Sequence, residues 1–275
     1  MGIGPSRRGN KPGPSTLSND VVIGGTIHTA ETVYVANDIN EAVTSWAPRI
    51  GADTLVLAGS GDPPTKEYPG VFADNSAAVR GHSVGSGIGD GQTFVCTANS
   101  VTEDIGTDDF IWEFVYTTPA SFPHTMFYGA WWIQPSEAGL GWYQTTNGNA
   151  QLVMESVADG QVSPTLSTTL ATSTTYHVMI FCNRDEASTY GLRLYVNGSI
   201  PGASATRDPS GVQGSIGSAT RNRGLGGTEY GAQAFNGDIY SHRQWSGADM
   251  FSSGEDGANE MVAIALGRAQ YLGLV

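Results

Sequence analysis

Cysteine is nearly absent. Cys96 and Cys182 are the only two in 275 residues, far too few for a disulfide scaffold. Neither has a second ligand at C-x-x-C spacing, so the usual zinc frameworks are excluded. Cys182 follows Val178 and Ile180 in an alternating run and reads as a buried free thiol. Charge is also scarce, at 14% of residues. A disordered chain would carry more charge and fewer aromatics; here 6 Trp, 11 Tyr and 9 Phe point to a packed interior. No long apolar run exists. The one near the C-terminus, Met261 to Leu266, is far short of the roughly 20 residues that cross a bilayer. The N-terminus has no apolar stretch after its charges, so no secretory signal is expected. The histidines His28, His82, His124, His177 and His242 are dispersed and form no H-x-H or H-E-x-x-H pattern. His177 reads as a core histidine within a sheet.

Positive charge is scarcer than negative. Thirteen Lys and Arg face 26 Asp and Glu, for a net charge of -13. Such a surface repels nucleic-acid phosphates and anionic lipid, so neither nucleic-acid binding nor membrane insertion is expected. The charge is uneven. Arg7, Arg8 and Lys11 precede the first acid, Asp20, and the remainder holds 10 basic against 26 acidic side chains. Residues 1–19 are rich in Gly, Pro and Ser and have almost nothing to bury. They read as a flexible basic arm that orders on a neighbouring subunit.

What the chain has in quantity is glycine. There are 37, about twice the usual share of roughly 7%. Without a Gly-X-Y period, glycines between short apolar runs read as tight turns, and hence as many strands. Residues 20–70 give strands at Val21–Ile23, Thr32–Val35 and Thr54–Leu57. Between them, Asp38 and Glu41 fit a capping pair, with Ile39, Val43 and Trp46 on one helical face before Pro48. From 71 to 275 a sandwich pattern dominates, with short strands at Val71–Phe72, Ala77–Val79 and Thr93–Cys96. In Phe110 to Tyr116, Phe110, Trp112, Phe114 and Tyr116 share one face, with Ile111, Glu113 and Val115 on the other. Tyr176 to Cys182 is apolar on both faces, as expected of a strand covered twice. Leu192 to Val196 returns antiparallel into Asn197-Gly198, a type I′ turn sequence. Ser215–Gly217 and Phe235–Tyr240 read as the closing strands. Ser252 and Ser253 ahead of Glu255 and Asp256, then Met261, Val262, Ala265, Leu266 and Ala269, predict a helix over 255–268.

The motif order is Asp109-Phe110-Ile111-Trp112-Glu113-Phe114-Val115, then Tyr176-His177-Val178-Met179-Ile180-Phe181. Gly191-Leu192-Arg193-Leu194-Tyr195-Val196-Asn197-Gly198, Ser215-Ile216-Gly217 and Phe235-Asn236-Gly237-Asp238-Ile239 follow. It resembles the laminin-G-like branch of the concanavalin A-like superfamily over about 71–250. Here Tyr176-His177 stands where Trp-His is usual. The resemblance implies an all-β jelly-roll sandwich of two antiparallel sheets, with a short N-terminal extension and a C-terminal helix. The superfamily hosts lectins, adhesion modules, virion proteins and glycosidases, so fold does not fix function.

Glycosidase chemistry needs paired carboxylates facing each other across a cleft. Glu103, Asp104, Asp108, Asp109 and Glu113 do not have the superfamily's Glu-x-Asp-x-x-Glu spacing, so no enzyme is expected. The same acids could bind Ca2+ with loop carbonyls, as some members of the family do; the alternative is a solvated acidic loop. No other cofactor is expected. Trp142 and Tyr143 could stack on sugar rings or anchor the core. Arg221, Arg223 and Tyr230, in a Gly-rich loop, form the recognition-loop candidate. The basic residues Arg7, Arg8 and Lys11 form the assembly arm. The expected function is a non-enzymatic virion protein, a phage capsid decoration or tail-associated surface protein. It would be homo-oligomeric, beside other virion subunits, and able to contact cell-surface glycan. The alternatives are a free lectin-like module and a glycoside hydrolase.

Overall fold

A computed structural model describes residues 12–51, 54–59, 62–81, 92–96, 105–122, 125–130, 139–145, 147–156, 166–216, 224–227 and 234–275. In chain order the strands begin with β1 (Asp20–Ile23), β2 (Thr26–Thr29), β3 (Thr32–Val35), β4 (Ser45–Trp46), β5 (Leu55–Ala58) and β6 (Thr65–Glu67). Next come β7 (Ala78–Arg80), β8 (Thr93–Cys96), β9 (Asp109–Thr117), β10 (Thr125–Ala130), β11 (Gly139–Gln144) and β12 (Asn149–Glu155). The remainder are β13 (Leu166–Thr169), β14 (Thr175–Cys182), β15 (Leu192–Val196), β16 (Thr206–Arg207), β17 (Gly224–Leu225), β18 (Asp238–Gly247) and the helix α1 (Gly254–Tyr271).

Two antiparallel sheets form the body. The first runs β16-β15-β14-β9-β18-β7-β6, with β3 also on β18; the second runs β13-β12-β11-β10-β17-β8-β5-β4. This is an all-β sandwich with a C-terminal helix, as the strand pattern predicts. Strand alternation builds the core between the sheets. Phe110, Trp112, Phe114 and Tyr116 of β9 meet Trp142, Leu152 and Leu166 from the opposite sheet. Val178, Ile180 and Cys182 of β14 point the same way, while Met179 and Phe181 point to the other face with Ile111.

That other face is covered by a third layer, which explains why β9 and β14 are apolar on both sides. The hairpin β1–β2 contributes Val21 and Ile23, and α1 contributes Met261 and Ala265. Leu17 and Leu272 cap the adjoining cluster around Val115 and Tyr240. The Asn197-Gly198 turn adopts positive φ at both residues, 48° and 77°, as a type I′ turn requires. A Cβ on Gly198 would lie 2.9 Å from the Leu266 Cα, so the turn also seats α1.

Several local expectations fail for identifiable reasons. The helix expected after Asn37 is a single 3-10 turn, Ala36–Asp38, and then β4. Val43 sits at φ 48°, outside helical space. The Asp38 carboxylate is taken by Arg49, with Nε to Oδ2 at 2.8 Å and Nη2 to Oδ1 at 2.9 Å, and caps nothing. Ile39, Val43 and Trp46 are nevertheless buried. Val71–Phe72 is not a strand; Phe72 packs edge-on to Tyr240 at 5.1 Å. Ser215 and Ile216 are not in a strand, and the Ile216 N–H donates to the Gly106 carbonyl. Ser253 occupies the N-cap of α1 without a side-chain capping bond. Glu186 supplies the carboxylate instead, its Oε2 accepting the Gly254 N–H at 2.5 Å. Residues 13–19, read as part of a flexible arm, are pinned to the body. The Gly13 N–H donates to Asp74 Oδ2 at 3.0 Å, and Arg243 Nη2 donates to the carbonyls of Pro14 and Leu17.

Candidate functional site

The acids of β9 were the candidates for catalysis, and the structure gives both of the central ones structural partners. Glu113 points away from the inter-sheet core into the third layer and has no exposed surface. Arg268 of α1 binds it through Nε to Oε1 at 2.6 Å and Nη2 to Oε2 at 2.8 Å. Arg243 of β18 donates from Nη1 to Oε2 at 3.2 Å, and His177 Nε2 lies 2.7 Å from Oε1. A carboxylate only accepts, so the His177 proton sits on Nε2. Burial alone would push the Glu113 carboxyl up. The Arg268 charge and hydrogen bond, then His177 and Arg243, outweigh it and hold the group well below the usual carboxylate range. A carboxylate tied up in this way offers neither a nucleophile nor an acid.

Asp109 is buried at the start of β9. Its oxygens accept the backbone N–H groups of Arg184 at 2.7 Å and Met250 at 2.9 Å. Burial raises its carboxyl, and these two bonds oppose the rise. It clamps two loops at one end of the sandwich. Glu103 and Asp104 lie outside the described residues. Among the described residues no group of three or more His, Cys, Asp or Glu side chains could hold a metal ion. Cys182 is free and buried, and burial pushes its thiol up, which keeps it protonated.

Adjacent aromatics in β11 have opposite fates. Trp142, expected as a sugar platform or a core anchor, is in the core between the sheets at 1% exposure. Tyr143 is therefore on the outer face of the β4–β13 sheet and is partly exposed. Across that face Tyr143 pairs in register with Gln151 of β12, and Gln151 with Ser167 of β13. The Tyr143 hydroxyl donates to Gln151 Oε1. The row thus presents an aromatic face, an amide and a hydroxyl side by side on three rigid strands. None of the described side chains that these strands turn outward carries a charge.

The next row was not visible in sequence. Gly129 of β10 pairs with both Gly141 of β11 and Gly224 of β17, flanked by Val153 and Val95. Three adjacent strands therefore carry no side chain at this level of the outer face. Gly224, read as part of a Gly-rich loop, is here a strand residue, and the row lies where other groups can approach the backbone closely. Gly141 and Gly224 are themselves buried. Arg221 and Arg223 immediately precede β17, and Tyr230 follows it; all three lie outside the described residues, as do Arg7, Arg8 and Lys11.

No protein-family model matches the chain, and no curated protein matches it in sequence. Solved structures do share the fold. Domain 4 of AbnA, a GH43 extracellular arabinanase from Geobacillus stearothermophilus in complex with arabinotriose, aligns with a TM-score of 0.54 at 13% identity, over 86% of this chain and 98% of that one. The binding domain of botulinum neurotoxin serotype G aligns at 0.55 and 8% identity, over 86% of this chain and 50% of that one. Trypanosoma rangeli sialidase in complex with sialic acid aligns at 0.51 and 14% identity, over 93% of this chain and 36% of that one. The chain thus spans nearly all of the first, half of the second and about a third of the third. The class these likenesses define is one of fold, the all-β sandwich.

Proposed function

We propose that this chain is a non-catalytic carbohydrate-binding sandwich of the laminin-G-like kind. It takes a neutral oligosaccharide on the outer face of the β4–β13 sheet. The observation that carries the reading is the Tyr143–Gln151–Ser167 row. A sugar ring has one apolar C–H face and a rim of hydroxyls, which match a tyrosine ring flanked by an amide and a hydroxyl. Tyr143, Gln151 and Ser167 carry no charge, which suits a neutral ligand. The fold neighbour solved with arabinotriose supports the class of ligand. The bonds that hold Glu113 and Asp109 support the non-catalytic reading.

The test is titration calorimetry with neutral oligosaccharides, arabinotriose first and then a glycan array. Tyr143→Ala should weaken binding at least about tenfold, or ~1.4 kcal/mol, with thermal unfolding unchanged. Binding that survives Tyr143→Ala and Gln151→Ala moves the site elsewhere. No binding to any neutral glycan overturns the proposal.

The virion setting belongs to the same proposal, as a surface module of a phage capsid or tail. The contrast between the basic residues 1–11 and the acidic body supports an assembly role. Mass spectrometry of purified particles tests it, and absence of the chain from every particle rejects it.

A further inference from the structure

The hairpin β1–β2 carries an edge that nothing in the described structure covers. It is a two-stranded sheet, so the side of β2 away from β1 has no strand beside it among the described residues. All four β2 residues are exposed or partly exposed. Natural edges are blunted by Lys, Pro, a bulge or a covering segment. Thr26-Ile27-His28-Thr29 has no Lys and no Pro, and its four pairs with β1 run without a register shift. Val22 and Ile27 stand directly opposite each other and are 58% and 67% exposed. Meanwhile the hairpin is firmly held. The Gly24 N–H donates to Glu260 Oε1 at 2.8 Å, the Ala30 N–H to the Asn19 carbonyl at 2.8 Å, and Trp245 Nε1 to the same carbonyl at 3.0 Å. A rigid template with free backbone groups and an apolar pair beside them is what strand addition uses.

The surrounding charge says what kind of strand fits. Asp20 and Glu31 flank one end of the hairpin, and Glu255, Asp256 and Glu260 lie in the first turns of α1 beside the other. The hairpin has no Lys or Arg, and the single one of α1, Arg268, is buried on Glu113. The occupant should be extended and basic. Among the described residues four further cations are engaged with acids: Arg49 with Asp38, Lys66 with Glu41, Arg80 with Asp238, and Arg243 with Glu113. Residues 1–11 hold three basic side chains and no acid, Arg7, Arg8 and Lys11, and carry Ile3 to set against Val22 and Ile27.

We infer that the free edge of β2 receives residues 1–11 of a second copy of this chain. Within one molecule the route is awkward. The Gly13 N–H is fixed to Asp74, and the carbonyls of Pro14, Leu17 and Ser18 are held by Arg243 and Arg268 on the way to β1. To lie on its own hairpin, the segment would have to turn back over this pinned stretch. A second molecule has no such constraint. Each copy then gives one segment and receives one, which closes as a two-fold exchange between two copies or runs head-to-tail as a ring or filament.

Light scattering and sedimentation of the full chain test this. At about 50 mM salt the chain should associate with concentration, and at about 500 mM the association should weaken at least tenfold, because the contact is screened. Ile27→Lys should weaken association at least tenfold. So should the triple variant Arg7→Glu, Arg8→Glu, Lys11→Glu. Ile27 is exposed, so Ile27→Lys should leave thermal unfolding unchanged. The two variants mixed should associate with each other, since one keeps the donor segment and the other the edge. A chain that is monomeric at all concentrations overturns the inference. So does loss on Ile27→Lys without loss on the triple variant, which would mean edge-to-edge pairing of β2. A mixture that fails to associate overturns it as well.

Discussion

Arg268 of the C-terminal helix holds Glu113 of the central strand β9 in a two-pronged grip, Nε on Oε1 at 2.6 Å and Nη2 on Oε2 at 2.8 Å. The pair joins residues 155 apart in sequence, and both side chains are buried. Arg268 also donates from Nη2 to the Ser18 carbonyl at 2.8 Å. One guanidinium therefore fastens the N-terminal segment and α1 to the sandwich. Removing it leaves a buried carboxylate with its main counter-charge gone. Arg268→Ala should cost about 3–5 kcal/mol, read by urea unfolding. Arg268→Lys loses the fork but keeps the charge, and should cost less.

The same cluster sets an acid limit. The Glu113 carboxyl is held well below its ordinary value of 4.5. Its stabilisation is therefore fully present above about pH 4.5 and is lost only as pH falls through the depressed folded value. Asp109 has the opposite sign: its raised carboxyl costs stability at neutral pH, and that cost fades as it protonates. The difference in unfolding free energy between the wild type and Glu113→Gln should be large at pH 7. It should shrink steadily below about pH 4.5. A difference independent of pH from 7 to 2 would remove Glu113 from the account.

The sandwich was legible because strand alternation is local. The facing sets of β9 and β14 follow from a period of two, and the structure places them as that period requires. What was illegible depended on distant partners. The set Ile39, Val43, Trp46 has helical spacing, but burial of those side chains is achieved by an irregular chain with Val43 at positive φ. Glu113 was one of five acids weighed for catalysis and set aside on spacing, without a reading of what it does instead. Its partners Arg243 and Arg268 are more than a hundred residues away. One signal was available: Arg268 falls three residues after Ala265, on the apolar face of the predicted helix, and a buried arginine needs a partner. The glycine row could not be read, because it depends on the pairing of Gly129 with Gly141 and Gly224 across strands far apart in sequence.

Trp142 and Tyr143 give a direct contrast between core and site. Both are large aromatics on one strand, and a pleat separates them. Trp142→Ala empties a volume in the inter-sheet core and should cost about 3–5 kcal/mol in urea unfolding. Tyr143→Ala removes a side chain from the outer face and should leave stability within about 1 kcal/mol. Equal destabilisation by the two would mean that Tyr143 is also a core residue.

Glu186 caps a helix from a distant loop. Its Oε2 accepts the Gly254 N–H at 2.5 Å, and its Oε1 accepts the Ser188 hydroxyl at 2.5 Å. A carboxylate at a helix N-terminus also meets the positive end of the helix dipole. Glu186→Ala should cost about 1 kcal/mol, whereas Ser253→Ala, at the cap position without a capping bond, should cost little. The reverse order in thermal unfolding would restore the serine as the cap.

Two glycines at positive φ separate backbone strain from helix docking. Gly24 sits at φ 56° with nothing within 4 Å of an added Cβ, while Gly198 sits at φ 77° with the Leu266 Cα 2.9 Å away. An alanine at either position bears the left-handed penalty, about 1–2 kcal/mol. At Gly198 the new methyl also meets the helix backbone, which cannot swing aside as a side chain can. Relief requires α1 to shift, and α1 is fixed by Arg268 on Glu113. Gly198→Ala should therefore destabilise clearly more than Gly24→Ala in urea, and proteolysis should cut first in α1. Equal costs would show that the turn and the helix are not in firm contact.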